Sequence, residues 1–182
     1  MSDPSDPLDT PARRLFARAG YTAYGAEFSA CRTYRYLLTR TWDAGRERIA
    51  FIGLNPSTAD ATQDDPTIRR IVSFARDWGY GGVDMLNLFA FRATDPRDMK
   101  AAADPVGPDN DRWLVEVAQR SAVTVAAWGV HGAHHDREAG IAGALGALHC
   151  LGTTQAGHPR HPLYLRRDTP RQPWRHALPV PH

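Results

Sequence analysis

Long apolar runs are missing from this chain. No stretch approaches the roughly 18–20 consecutive apolar residues of a membrane-spanning helix. The opening MSDPSDPLDTPARR holds no apolar block, so a secretory signal is not expected either. Cysteine is scarce. Cys31 and Cys150 stand alone without a C-x-x-C spacing, which excludes a four-cysteine zinc or iron–sulfur site and suits a reducing cytoplasm. Lysine is almost absent, since Lys100 is the one lysine among 22 basic residues. Arginine makes flat, two-pronged contacts with phosphate and stacks on planar groups, although a GC-rich genome gives the same bias. An excess of one charge is also lacking. The 22 basic and 20 acidic residues leave a formal charge of +2, so net charge makes no case for nucleic acid.

Several chemistries lack their signatures. The chain has no G-x-G-x-x-G and no Walker A loop to cradle phosphate, and no G-x-S-x-G or cysteine–histidine pairing for acyl transfer. His131, His134 and His135 lie close together, but without an HExxH or 2-His-carboxylate spacing. No metal and no cofactor is therefore expected.

What is present suffices for one domain. The 182 residues are 42% hydrophobic, enough for one substantial core. Residues 1–12, with three prolines, read as a flexible tail, and residues 13–182 as a single α/β domain. Residues 13–32 are weakly patterned. Tyr34 to Arg40 suits a strand, and Arg48 to Gly53 reads as a second, apolar on both faces at its end. Asp65-Pro66 opens a helix whose stripe is Ile68, Ile71, Val72 and Ala75. Val83 to Leu88 is another strand, Asp109 to Gln119 a helix, and Ala122 to Trp128 the cleanest buried strand. A helix over 132–148, a strand from His149 and an irregular Pro- and Arg-rich end complete the pattern. Such alternation predicts parallel pairing, with ligands beyond the carboxyl ends of the strands.

The unusual polar residues fall at those ends. Gly53-Leu54-Asn55-Pro56-Ser57 follows one strand. Gly permits close approach and Pro stiffens the loop, so Asn55 is placed to hold a water, or simply to cap a turn. Asp60, Asp64 and Asp65 follow, grouped acids that activate water or bind a metal, or else serve as caps and solvated loop residues. Asn87 ends an apolar strand, where an amide reads an imide-like edge or caps a turn. His158-Pro159-Arg160-His161-Pro162 is stiffened by prolines that aim a histidine, or leave it in an exposed loop.

Taken in order on these elements, the motifs resemble the uracil-DNA glycosylase superfamily. Within it, Tyr36 to about Trp174 looks like an uncharacterised bacterial domain family carrying G-L-N-P-S-T-A-D, a D-D-P-T helix start and a late H-P-L-Y-L. The resemblance implies a three-layer α/β/α fold around a central, mainly parallel four-stranded sheet. It implies that Asn55 positions the attacking water and that His161 contacts the oxygen of the leaving base. Gly53, Leu54 and Asn87 would hold the flipped base, and His158 is an alternative register for the second motif. Two departures stand out. The second motif is His161-Pro162-Leu163-Tyr164 rather than H-P-S-P, and no aromatic follows the first motif by about a dozen residues. Phe89 or Phe91 is then the expected stacking ring.

Since Asn55 has no basic lone pair, Asp64 or Asp65 is the expected aid to the water. Pro56, Ser57, Pro162, Arg69, Arg70 and Arg160 are expected on DNA. The expectation is a monomeric, cytoplasmic, monofunctional DNA glycosylase of base-excision repair, with no membrane association. Its target would be a flipped uracil-like, modified (5-hydroxymethyluracil) or deaminated (hypoxanthine) base. The alternatives are a nucleoside or nucleotide hydrolase built on Asp60, Asp64 and Asp65, and a non-catalytic nucleic-acid-binding module.

Overall fold

The core is organised by strands that have no polar face. In β3 (Arg48–Gly53), Ala50 and Ile52 join one apolar cluster while Ile49 and Phe51 join another, and all four are fully buried. Such a strand must have helices on both sides. The computed structural model, which describes residues 19–57 and 63–176, has that arrangement. The expected tail 1–12 and Asp60 lie outside the described residues.

β4 (Gly82–Asn87) and β5 (Val123–Ala126) flank β3 and run parallel to it, and β6 (Leu148–Cys150) runs parallel to β5. On one side β2 (Arg35–Thr41) pairs antiparallel with β4, and β1 (Ala23–Phe28) antiparallel with β2. On the other, β7 (Gln172–Trp174) pairs antiparallel with β6. The α/β class thus stands, but the sheet has seven strands in the order β1-β2-β4-β3-β5-β6-β7 and is mixed, not four-stranded. The two outermost strands left no clear pattern. β1 is an edge strand with no fully buried residue. β7 is three residues long with Pro173 at its centre, a residue tolerated at sheet edges. The end expected to be irregular therefore contains a strand.

Four α-helices cover the sheet among the described residues. α1 (Pro66–Asp77) starts where the Asp65 carboxylate accepts the Ile68 N–H at 2.8 Å. It buries Ile68, Ile71, Val72, Phe74 and Ala75 on the face of Ile49 and Phe51. It stops at Gly79, whose φ of 83° favours glycine. The opposite face carries α2 (Pro96–Ala101), α3 (Asn110–Arg120) and α4 (Arg137–Leu145), which supply Met99, Leu114, Val117 and Ile141. The helix expected over 132–148 is shorter. Val130–Asp136 is a kinked 3-10 segment, because His135 and Asp136 take φ of 54° and 53° and break the α-helical ladder.

One edge of this sheet matters most. β3 stops at Gly53 beside the last residue of β4, Asn87. β5 stops at Ala126, opposite Ile52. The antiparallel β2 starts at Arg35 on the same edge.

Candidate functional site

A cavity of about 520 Å³ opens at that edge, within the range of roughly 300–1,000 Å³ usual for small-molecule sites. Its wall includes the strand-end residues Arg35, Asn87 and Gly53, and Trp128 two residues past β5. Gly53 leaves room for the side-chain ends of its neighbours. A Cβ there would lie 2.6 Å from Met85 Cε and 3.1 Å from Asn87 Oδ1, distances that force a neighbour to move. Asn87 is 1% exposed, and neither Nδ2 nor Oδ1 has a hydrogen-bond partner among the described residues. Leaving a buried amide unpaired costs about 1–3 kcal/mol. Its backbone carbonyl is nonetheless fixed, accepting from Asn110 Nδ2 at 3.0 Å. A rigid strand end therefore presents one unused acceptor and two unused donors at a cavity wall.

Asn55 also borders the cavity. Its Nδ2 donates to Ala93 O at 2.8 Å and to Pro56 O at 3.2 Å. Both amide hydrogens are engaged, so Oδ1 is what Asn55 has left to offer, a fixed acceptor suited to orient a water.

His161 caps the 3-10 turn Pro162–Tyr164, with Nδ1 accepting the Leu163 N–H at 3.3 Å. In the neutral ring this puts the proton on Nε2, which becomes the donor. Burial holds the His161 pKa below its ordinary value, with Asp65 pulling weakly the other way, so the ring is neutral at pH 7. Arg70 donates to Leu165 O and ties this turn to α1.

The two adjacent aspartates separate. Asp64 faces away from the cavity, accepting from Arg40 Nε at 2.8 Å and Tyr21 Oη at 2.7 Å. Burial and this carboxylate push the Tyr21 phenol up. Asp65 borders the cavity, but it caps α1 and accepts from Ser57 Oγ at 3.0 Å. Of the expected DNA-facing residues, Ser57 and Arg160 line the cavity. Arg69 instead donates to the Asp64 carbonyl, Arg70 is the turn's tether, and Pro56 and Pro162 are buried.

Phe89 does not reach the cavity. It is fully buried in the core, 5.7 Å from the His134 ring, and Phe91 stacks edge-on to Tyr34. The aromatic rings at the cavity are Trp128, 1% exposed and donating to Glu138 Oε2 at 2.9 Å, and Tyr164, 81% exposed at the mouth. The alternative histidine, His158, is spent on Glu138, with Nδ1 2.7 Å from Oε1. His131 lines the cavity and sits 3.1 Å from Lys100 Nζ. No group of three metal-ligating side chains occurs among the described residues.

The residue that sequence reasoning missed is Arg35, 3% exposed in the cavity wall. Burial pulls its guanidinium down to about 10, with Asp65 opposing, so it remains a cation at neutral pH. Its one sequence signal was an arginine between Tyr34 and Tyr36 within a strand. The antiparallel run of β2, which brings it to the site, was not written there.

Among the described residues no helix is long and apolar enough to cross a membrane. No curated protein and no solved structure matches the chain. A family model described as Protein of unknown function (DUF1643) matches residues 35–163. That span holds Arg35, Asn55, Asn87 and His161 and most of the chain, and the protein belongs to this family.

Proposed function

We infer that the chain is a DNA glycosylase of uracil-DNA glycosylase type, hydrolysing the N-glycosidic bond of a base flipped out of DNA. The observation that carries this reading is the Asn87 amide, buried and unpaired at the wall of a cavity that Asn55 and His161 also line. A stability cost of that kind is explained when a ligand edge completes the missing hydrogen bonds.

The chemistry has two ends to support. The bond from C1′ to the base nitrogen breaks, its electron pair leaves with the base, and the sugar becomes cationic. Water then adds to C1′, and the proton it loses neutralises the departed base anion. The His161 Nε2–H is the donor for the departing anion, a contribution worth roughly 3–4 kcal/mol when preorganised. The Asn55 Oδ1 accepts from the water and orients it without deprotonating it. Asp65 is the carboxylate at the cavity, while Asp64 is held by Arg40 and Tyr21. That division disfavours the nucleotide hydrolase built on grouped aspartates. A flipped base leaves its stack at a cost of a few kcal/mol, least where it is mispaired or damaged. Val130, Leu163 and Tyr164, the exposed large hydrophobics among the described residues, suit contact with the opened strand.

The test is a panel of duplex and single-stranded oligonucleotides, each carrying uracil, 5-hydroxymethyluracil or hypoxanthine, scored for alkali-labile abasic sites. Product from at least one substrate is expected, with a loss of about 100-fold in Asn55→Ala. The absence of abasic product from every substrate sinks the reading.

A further inference from the structure

Two parts of the cavity wall are joined through a buried carboxylate behind them. Glu138, in the first turn of α4, is 3% exposed and does not line the cavity. Its Oε2 accepts the Trp128 Nε1–H at 2.9 Å, and its Oε1 stands 2.7 Å from His158 Nδ1. The second contact is a hydrogen bond with the ring proton on Nδ1. His176 Nε2 lies farther from the same oxygen, at 3.7 Å. Trp128 lines the cavity past the end of β5, and Arg160 and His161 line it from the segment that His158 opens.

The main chain closes the circuit. Gly129 N, next to Trp128, donates to Pro159 O, next to His158, at 2.9 Å. Bonds from the indole, the imidazole and the peptide thus join Glu138, Trp128-Gly129 and His158-Pro159 in one ring. Thr154 N also donates to His158 O at 2.8 Å, and Arg160 N to Gly152 O at 2.9 Å. Both of these bonds lie within residues 152–160 and travel with that segment if it shifts. Trp174 Nε1 holds Gly157 O at 3.0 Å, before His158. The indole is set from other sides too. A Cβ at Gly132 would overlap Trp128 Cδ1, and Trp174 meets the Trp128 ring edge-on at 5.3 Å. Stability alone does not account for Glu138, because desolvation offsets most of what a buried charged pair gains over an apolar replacement.

We propose that Glu138 is a positioning residue of this site, one carboxylate that locks the Trp128 wall and the His161 segment to each other. It touches no ligand. It acts through His158, whose fixed ring sets the path of the chain into His161 and so aims the Nε2–H donor. Asn87 on β4 stands outside the ring, so the base-reading amide is independent of Glu138. The role of His161 rests on the glycosylase reading, and the mechanical link does not.

The experiment is 15N relaxation and indole N–H spectroscopy on the whole chain. Glu138→Leu removes both acceptors. Glu138→Gln restores both links, with Oε1 accepting from Trp128 and Nε2 donating to a His158 ring whose proton has moved to its own Nε2. In Glu138→Leu the Trp128 indole signal should move upfield. The order parameters of the Arg160 and His161 amides should fall from about 0.85 toward about 0.6, while the Asn87 backbone stays rigid. Glu138→Gln should keep native order at both. His158→Leu and His158→Asn repeat the test from the other end, the asparagine amide donating where Nδ1–H stood, and they decide it if the Glu138 variants fail to fold. Unchanged order at Arg160 and His161 in the leucine variants overturns the proposal. So does equal loosening in the glutamine and asparagine variants. On any oligonucleotide the chain cleaves, Glu138→Leu should lower kcat about 10–100-fold with KM unchanged, and should add nothing to the loss in His161→Gln. A further loss of the same size in that background overturns the proposal. If no oligonucleotide is cleaved, the glycosylase reading falls, and the relaxation data decide the positioning claim by themselves.

Discussion

Asp84 and Asn87 lie three residues apart on β4, are each 1% exposed, and have opposite fates. Asp84 is fully answered. Arg48 reaches it with Nε at 3.1 Å and Nη2 at 2.5 Å, and Arg48 Nη1 also donates to Thr41 Oγ1 at 2.7 Å. The side-chain amide of Asn87, at the strand end, is answered by nothing among the described residues. A buried charge left alone destabilises the fold strongly, so mid-strand Asp84 keeps its partner. A buried neutral amide costs less and is tolerated at the one place where a ligand can reach it. Polar burial inside the strand serves the fold, and at the strand end it serves a site.

Substitutions should split the same way. Arg48→Met should have the largest effect, about 3–5 kcal/mol of lost stability in urea unfolding, because it strands the Asp84 carboxylate. A loss under about 1 kcal/mol would dissolve the contrast. Gly53→Ala comes next, at about 1–3 kcal/mol, since its new Cβ meets Met85 and Asn87. Base binding should fall with it, which calorimetry reads directly. Asn87→Leu should reverse the sign. Stability holds or rises by about 1 kcal/mol, while base binding and any base release are lost. If this variant unfolds as readily as Arg48→Met, the amide is structural after all.

The smallest effect is on pH dependence. Burial holds His161, and with it His134 and His149, below the ordinary histidine value of 6.5. The unfolded chain therefore takes up protons first on acidification. The stability these rings contribute is complete above pH 6.5 and is lost as pH falls from there through the lower folded-state values. Melting temperatures from about pH 7.5 down to about pH 5 should decline. In His161→Gln the decline should be shallower, and an unchanged profile would mean that His161 is solvated like an ordinary surface ring.

Two neighbouring aspartates show how far the chain could be read without coordinates. Both 64 and 65 looked equally able to activate water, yet the helix start took Asp65 to the cavity and left Asp64 to Arg40. Two histidines three residues apart divide likewise, His158 to Glu138 and His161 to the cavity. Phe89 was expected to stack on a base and instead fills the core, because the chain after Asn87 turns inward to hydrogen-bond Leu54, with Phe89 N donating to Leu54 O at 2.9 Å.

Composition and periodicity by themselves determined the α/β class, the buried strands β3, β4 and β5, the start of α1 and the polar residues at the strand ends. Those signals are local: two-sided apolar runs, a capping aspartate before proline, and amides where strand formers belong. Only the tertiary structure decided that the sheet has seven strands, that β2 runs antiparallel and delivers Arg35 to the cavity that Asn87 also lines, and that Trp128 rather than Phe89 borders the cavity. Edge pairing and inter-strand neighbours join residues far apart along the chain. No local pattern records which partner a strand end will meet.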